Sequence, residues 1–135
     1  MANLSEPVTR RDPLTGEIIG AAIAVHRVLG PGLLESTYEE CLCYELSKRG
    51  LGFCRQVLIP IRYEDVRLSA HYRIDLLVED RVIPELKTVE KLVRIHRAQL
   101  LTYMRHARKP IGLLINFNVP LLRDGIERLI LTPSD

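Results

Sequence analysis

Two acidic residues and one lysine lie where they could together bind a cation. Asp75 belongs to the apolar segment 69–78, and Glu85 and Lys87 belong to the next apolar segment, 82–87. If the chain turns back symmetrically at the polar tip between these segments, Asp75 falls directly opposite Glu85. Because side chains alternate between the two faces of a strand, Lys87 shares the face of Glu85. The spacing therefore predicts two carboxylates and an ammonium group on one face of a sheet.

This arrangement has an electrostatic requirement. Opposed side chains on paired strands have Cβ atoms roughly 4.5–5.5 Å apart, and like charges at that separation are destabilising. Lys87 can offset one negative charge but not two, whereas Mg²⁺ and Mn²⁺ prefer carboxylate oxygens as ligands. A cation bound by Asp75 and Glu85 would relieve the repulsion. The alternative interpretation is a surface ion pair between Glu85 and Lys87 beside an unrelated aspartate on an exposed sheet face.

A third carboxylate, Glu35, lies within an apolar stripe of the predicted helix 33–49. The stripe consists of Leu34, Tyr38, Leu42 and Leu46. At about 100° per residue, Glu35 falls between the last two of these positions. A carboxylate on the core-facing side of a helix needs a partner. We therefore predict that Glu35 is largely buried, where it either caps a helix end, pairs with an arginine, or points at the same metal centre.

The predicted helix 89–108 has two faces with different expected functions. One face carries Gln99, which could reach the carboxylates if that face packs on the sheet; its other residues are Leu92, Ile95, His96 and Tyr103. The opposite face carries the arginines Arg94, Arg97, Arg105 and Arg108. No acid occurs between positions 91 and 123, so this basic side could contact flanking nucleic acid or a partner subunit. The alternative is a solvated helix face.

The remaining patterns predict the elements that carry these residues. Apolar residues at helical spacing predict a helix over 14–29, broken by Gly30-Pro31-Gly32, before the helix 33–49. Period-two alternation and apolar runs predict five strands. They cover 57–63, 69–78, 82–87, 111–117 and 126–131. The order of helix, helix, three strands, helix and two strands predicts an α/β (α+β) fold with a central mixed sheet flanked by helices.

Length and composition are typical of one globular domain. The chain has 135 residues, of which 47% are apolar and 27% charged, so we expect a single domain over 1–135 with an ordered core of about 14–132. Three cysteines without a CxxC pair indicate neither a zinc site nor a disulfide framework. No apolar run is long enough to be a leader or a membrane span, so a cytoplasmic location is expected.

The ordered set of motifs resembles the PD-(D/E)XK nuclease superfamily, whose signature is an aspartate followed by Glu-x-Lys on consecutive strands. Here these residues are Asp75 and Glu85-Leu86-Lys87. The segment Gly32-Leu33-Leu34-Glu35-Ser36-Thr37-Tyr38 more closely resembles the signature of the GxxExxY proteins. The resemblance runs from about residue 18 to residue 128. It implies the restriction-endonuclease-like core of that superfamily.

The resemblance also implies an activity, which is hydrolysis of DNA phosphodiester bonds with Mg²⁺ or Mn²⁺ as cofactor. Asp75 and Glu85 would bind the metal, Lys87 would orient the attacking water or stabilise developing charge, and Glu35 and Gln99 would complete the site. Pro84 departs from the family pattern, because proline belongs at edges, bulges or strand starts. A bulge at Pro84 is one possibility, and it could re-aim Glu85.

Two other functions fit the sequence. One is a non-catalytic nucleic-acid-binding or complex-assembly module that retains the nuclease fold, and the other is a structural oligomer subunit. A homodimer is a further candidate, since hydrolysis of both strands of a duplex favours two sites. With no tryptophan, two phenylalanines and five tyrosines, the sequence does not indicate a base-stacking platform.

Overall fold

The computed structural model describes residues 12–132. In this part of the chain three helices and five strands occur in the predicted order. They are α1 (Pro13–Leu29), α2 (Glu35–Lys48), β1 (Phe53–Tyr63), β2 (Val66–Val78), β3 (Val82–Lys87), α3 (Arg94–Ala107), β4 (Ile111–Asn116) and β5 (Ile126–Ile130). A 3-10 turn over Leu122–Gly125 precedes β5.

The five strands form one mixed sheet in the order β1-β2-β3-β4-β5. β3 and β4 are parallel, and every other neighbouring pair is antiparallel. Parallel neighbours need a crossover, which α3 provides between β3 and β4. The predicted α+β fold with a mixed sheet flanked by helices is therefore confirmed.

Each face of the sheet buries its own apolar cluster. Leu86 of β3 belongs to the cluster under α1 and α2, together with Ile18, Tyr38, Leu42 and Phe117. Ile83 of the same strand belongs to the cluster under α3, together with Leu100, Met104 and Leu114. Because strand residues alternate, Glu85 and Lys87 lie on the α3 side with Ile83.

Close contact between α3 and β4 fixes the distance of α3 from the sheet. A Cβ atom added to Gly112 of β4 would lie 2.7 Å from Met104 Sδ and 2.8 Å from Leu100 Cδ2. Only a glycine lets the helix approach this closely. The approach places the face of α3 that carries Tyr103 beside the strands that carry the predicted site.

The pairing of β1 with β2 is interrupted beside Asp75. Arg55 pairs with Leu76 and Val57 pairs with Ile74, whereas Gln56, the residue between them, has a left-handed backbone with φ of 51°. A non-glycine residue in this region is uncommon and marks a local constraint. Asp75 is therefore left out of the regular ladder on its β1 side.

Two side chains, one distant in sequence and one within α3, shift the start of α3 from the predicted residue 89 to Arg94. The side-chain amide of Asn116 accepts a hydrogen bond from Val89 N at 3.1 Å and donates one to Val89 O at 2.9 Å. His96 Nδ1 accepts from Val93 N at 3.0 Å. These contacts satisfy main-chain groups outside a helix, so the segment before Arg94 stays extended or bent.

Pro84 lies buried in β3 without a bulge. β3 keeps one register with β4 from Val82, opposite Ile111, to Lys87. On the other side, the pairing with β2 within residues 12–132 is confined to Val78 and Val82, so a missing amide interrupts no ladder there. The proline therefore fits the strand, and the possibility of a bulge is not realised.

Two expectations from composition can be compared with the described residues. Cys41, Cys43 and Cys54 are all free thiols, as the absence of a disulfide pattern predicts. Between residues 12 and 132, no helix combines the length and the hydropathy needed to cross a membrane.

Candidate active site

Asp75 and Glu85 are joined by reciprocal hydrogen bonds between β2 and β3. The main-chain amide of Asp75 donates to Glu85 Oε1 at 3.0 Å. The amide of Leu86, next to Glu85, donates to Asp75 Oδ2 at 3.2 Å. Each carboxylate thus accepts a main-chain donor of the opposite strand, where main-chain partners would otherwise pair. The structure brings these two predicted site residues together.

The second oxygen of each carboxylate is left for another partner. Asp75 Oδ1 and Glu85 Oε2 accept no hydrogen bond from any residue between 12 and 132. Glu85 is only 6% exposed and Asp75 is partly buried. Carboxylate oxygens in so little water favour a bound cation.

Burial and mutual repulsion disfavour the charged forms of this pair. Burial first, and then the negative charge of Asp75, raise the pKa of Glu85 from 4.5 to about 8. Burial also raises the pKa of Asp75, although the hydrogen bond from Leu86 N and the charge of Lys87 act in the opposite direction. Without a cation, both effects therefore favour the protonated form of the Glu85 carboxyl.

Lys87 lies at the end of β3 and acts on both carboxylates. Its positive charge opposes the burial and repulsion that raise the pKa of Glu85, and it does the same at Asp75. The ammonium has no ion pair within 4.0 Å and no hydrogen bond among the described residues. Lys87 is thus a nearby cation whose donors remain available.

Glu35 is exposed on the first turn of α2, so the prediction of a largely buried side chain was wrong. The helix begins at Glu35, two residues later than predicted, and Leu34 is 74% exposed. Burial is the largest cause that raises the pKa of Asp75 and of Glu85, and the negative charge of Glu35 is a smaller one. However, the described residues contain no group of three His, Cys, Asp or Glu side chains placed to hold a metal. Glu35 is therefore near the pair but is not a preformed third ligand.

The buried carboxylate of α2 is Glu39, which the sequence analysis missed. It is 6% exposed and accepts hydrogen bonds from Arg55 Nε and Gln56 Nε2, each at 2.9 Å. Burial of Asp75 is the largest cause that raises its pKa, and the negative charge of Glu39 is a smaller one. Glu39 thus holds Gln56 at the interruption beside Asp75. The signal in the sequence is the position of Glu39 four residues before Cys43, on a second buried row of the helix.

Tyr38 fixes the loop that precedes Glu35. Its hydroxyl donates to Gly30 O and accepts from Leu33 N. Its ring stacks on Phe117 with a centroid separation of 4.3 Å. Gly32, inside the loop, has a φ of +99° that favours glycine. The motif residues Gly32 and Tyr38 therefore set the position at which α2 starts.

Gln99 lies in a groove over α3 and β2 and makes no hydrogen bond with Asp75 or Glu85. The groove has a volume of about 200 Å³ and is lined by Tyr72, Ile95, Ala98, Gln99, Thr102 and Tyr103. Burial, and then the charge of Glu85, raise the pKa of Tyr103, with smaller contributions from Tyr72 and Asp75. Tyr103 therefore lines the groove and lies within reach of the charge of the carboxylate pair.

The predicted basic face of α3 is partly neutralised. Arg97 donates from Nε and Nη2 to the carboxylate of Glu127. Arg94, Arg105 and Arg108 are exposed. The basic surface that faces solvent is thus smaller than the sequence predicts.

Comparison with known proteins identifies the family. A model of the PD-(D/E)XK nuclease superfamily matches residues 12–129, a range that includes Asp75, Glu85 and Lys87. Searches of curated proteins and of solved structures found no significant match. Because the matched range covers most of the 135 residues, the chain belongs to the PD-(D/E)XK nuclease superfamily.

Proposed function

We propose that this protein is a divalent-cation-dependent nuclease that hydrolyses DNA phosphodiester bonds at Asp75, Glu85 and Lys87. Membership of the superfamily indicates a nuclease-type function on nucleic acid. The reciprocal hydrogen bonds between Asp75 and Glu85 are the observation that supports this location of the active site. It holds two carboxylates beside a lysine whose donors are available.

The chemistry of the two carboxylates fits Mg²⁺ or Mn²⁺. Asp75 and Glu85 would hold the ion, because each has one oxygen fixed by a main-chain amide and one oxygen without a donor. A bound cation supplies positive charge that stabilises the negative charge developing on the phosphoryl oxygens. Glu85 must lose its proton before it can bind as a carboxylate, so cation affinity rises with pH.

Lys87 would act on the substrate. Its ammonium forms no ion pair among residues 12–132, so it can donate to a phosphoryl oxygen or to the attacking water. A fixed donor of this kind stabilises charge that develops in the transition state. Lysine offers no lone pair to a metal while it is protonated. Its contribution is therefore separable from cation binding.

Glu35 and Gln99 would support the site from its margins. Glu35 is exposed and supports cation binding through its negative charge, not as a fixed ligand. Gln99 would contact substrate in the groove beside Tyr103. Within the superfamily we propose that the chain is a GxxExxY protein. The fixed positions of Gly32 and Tyr38 around the loop before Glu35 support this assignment.

The test is incubation of the purified protein with plasmid, linear and branched DNA, with Mg²⁺ or Mn²⁺ and with a chelator. We expect hydrolysis in the presence of cation that Lys87→Ala lowers by about 100-fold or more. The matched control is Lys48→Ala, which removes an exposed lysine of α2 that pairs with Glu45. DNA binding without hydrolysis of any of these substrates would instead favour the non-catalytic module.

A further inference from the structure

The groove beside the carboxylates has an apolar and aromatic lining. Tyr72 of β2 and Tyr103 of α3 form its aromatic side, with ring centroids 5.5 Å apart and ring planes at 45°. Ile95, on the first turn of α3, is exposed at the groove. Two of the five tyrosines, 31 residues apart in sequence, thus meet at one place.

Two polar residues of the groove differ in what they can offer a ligand. The hydroxyl of Thr102 donates to Ala98 O at 3.0 Å, so that donor is already used. The side-chain amide of Gln99 has no hydrogen-bond partner among residues 12–132. A glutamine amide offers both donors and an acceptor. The groove therefore combines aromatic walls with one free amide that can pair with the edge of a ring.

The groove lies near the proposed site of hydrolysis, although neither carboxylate lines it. Tyr72 precedes Asp75 by three residues on the same strand, a distance of about 10 Å along β2. Tyr103 lines the groove and lies within the electrostatic reach of Glu85 and Asp75. A strand with one phosphate at Asp75 and Glu85 would therefore bring a neighbouring base to Tyr72.

We propose that this groove, which we call the base groove, binds an unpaired base of the DNA strand whose phosphate lies at Asp75 and Glu85. The inference rests on the proposed nuclease function and adds the class of substrate, which is DNA with an unstacked base beside the cleaved bond. The flat faces of a base match aromatic walls in a sequence-tolerant way. In a duplex those faces are covered by neighbouring bases, so the base must leave the stack before it can enter.

The dimensions of the base groove also favour a single base. Its volume of about 200 Å³ lies below the roughly 300–1,000 Å³ of sites that enclose drug-sized ligands. Tyr72 is 49% exposed, so much of its ring is free to be covered by a ligand. Gln99 would then pair with the edge of the base while Tyr72 covers its face.

The experiment measures binding without Mg²⁺ and Mn²⁺, so that it is separate from cleavage. The probes are a labelled single-stranded oligonucleotide, the same sequence as a duplex, and single strands in which one abasic site is moved along the chain. The variants are Tyr72→Ala, which removes the ring, and Tyr72→Phe, which keeps it. Tyr44→Ala is the matched control, because Tyr44 is an exposed tyrosine of α2 outside the base groove.

We expect Tyr72→Ala to bind the single strand about 5- to 150-fold more weakly, which is the loss of one stacked base. Tyr72→Phe and Tyr44→Ala should bind like the unmodified protein. An abasic site at one position should weaken binding of the unmodified protein by a similar factor. The same abasic site should not further weaken binding of the Tyr72→Ala variant. Such non-additivity would place that base against Tyr72.

Additive losses from Tyr72→Ala and every abasic site would overturn the inference, and so would equal losses in Tyr72→Ala and Tyr44→Ala. The same preparations are then tested for hydrolysis with cation. If the effects of Tyr72→Ala and the abasic site are non-additive but no DNA is hydrolysed, the base groove is supported and the nuclease activity is contradicted. If DNA is hydrolysed but the effects are additive, the nuclease activity is supported and the base groove is contradicted. A protein that binds none of the probes contradicts the base groove.

Discussion

The main-chain amide of Asp75 donates to Glu85 Oε1 at 3.0 Å, and the amide of Leu86 donates in return to Asp75 Oδ2. These two bonds hold together two carboxyl groups whose charged forms would repel each other. They replace a section of the ladder between β2 and β3, so the fold itself depends on the carboxylates. The protonation of the pair should therefore affect stability as well as activity.

The first prediction concerns pH and stability without a divalent cation. Burial and Asp75 raise the pKa of Glu85 from 4.5 to about 8, so the folded protein holds a proton that the unfolded chain releases earlier. This stabilisation is fully present below about pH 4.5 and is lost as pH rises through about 8. The free energy of unfolding should fall across this window by at most about 1.4 kcal/mol per pH unit for this group.

Chemical denaturation at several pH values measures this effect. Glu85→Gln should flatten the fall, because an amide oxygen can still accept from Asp75 N and carries no proton to lose. Glu64→Gln, in the exposed turn between β1 and β2, is the control and should keep the fall. An unmodified protein whose stability rises steadily between pH 5 and pH 8 would contradict the proposed ionisation of the pair.

The second prediction concerns stabilisation by the cation. Mg²⁺ or Mn²⁺ should raise the melting temperature, because a ligand that binds only the folded state adds RT ln(1 + [L]/Kd) to its stability. At ten times the Kd the gain is about 1.4 kcal/mol. The gain should increase with pH up to about 8, where Glu85 loses its proton. Asp75→Asn should reduce it.

Differential scanning fluorimetry with a cation titration provides the measurement, and Asp65→Asn in the exposed β1–β2 turn serves as its control. The control should respond to the cation like the unmodified protein. A melting temperature that does not change on addition of millimolar Mg²⁺ or Mn²⁺ at pH 8 would contradict the metal site.

The third prediction concerns Glu39. Glu39→Ala removes the acceptor of Arg55 and Gln56, so it should lower the free energy of unfolding by about 1–3 kcal/mol. Arg55 and Gln56 are both exposed and can bind water once Glu39 is removed, which keeps the loss near the lower end of this range. Glu40→Ala, at the exposed neighbouring position, should cost within about 0.5 kcal/mol. Equal effects of the two substitutions in urea denaturation would show that Glu39 does not hold the interruption beside Asp75.

The fourth prediction concerns the loop before α2. Tyr38→Phe keeps the ring on Phe117 but removes the hydroxyl that bonds Gly30 O and Leu33 N. The loss of two hydrogen bonds should cost about 1–3 kcal/mol. Tyr44→Phe, on the exposed side of α2, should be nearly neutral. Urea titrations of both variants measure their free energies of unfolding. If Tyr38→Phe is as stable as Tyr44→Phe, the Tyr38 hydroxyl does not constrain the loop.

The fold and the pairing of the two carboxylates could be predicted from the sequence because local periodicity determines them. The alternation of β2 and β3 about a short tip predicts that Asp75 faces Glu85, and the structure has this pairing. The order of helices and strands along the chain also follows from apolar patterns, which explains why the α+β fold could be predicted. The pairing of Asp75 with Glu85 depends on neighbours only ten residues apart along the chain.

The errors arise where a specific side-chain contact, and not periodicity, decides the conformation. Asn116 binds Val89 from 27 residues away and delays α3. Tyr38 fixes the loop so that α2 starts at Glu35, which moves this acid from the predicted stripe to the first exposed turn. The contact of Tyr72 with Tyr103 likewise depends on the packing of α3 over the sheet. No pattern within one helix or strand contains such contacts.

The most direct test of the proposed site compares Lys87→Ala with Asp75→Asn in two assays run on the same preparations. The assays are single-turnover hydrolysis of DNA with Mn²⁺ and the rise in melting temperature caused by Mn²⁺. We expect Lys87→Ala to lose hydrolysis by about 100-fold or more while it keeps the rise in melting temperature, because in the proposed site Lys87 would contact substrate and not the cation. Asp75→Asn should lose both. Undiminished hydrolysis in Lys87→Ala, or hydrolysis by Asp75→Asn at the unmodified rate, would contradict a nuclease site built from Asp75, Glu85 and Lys87.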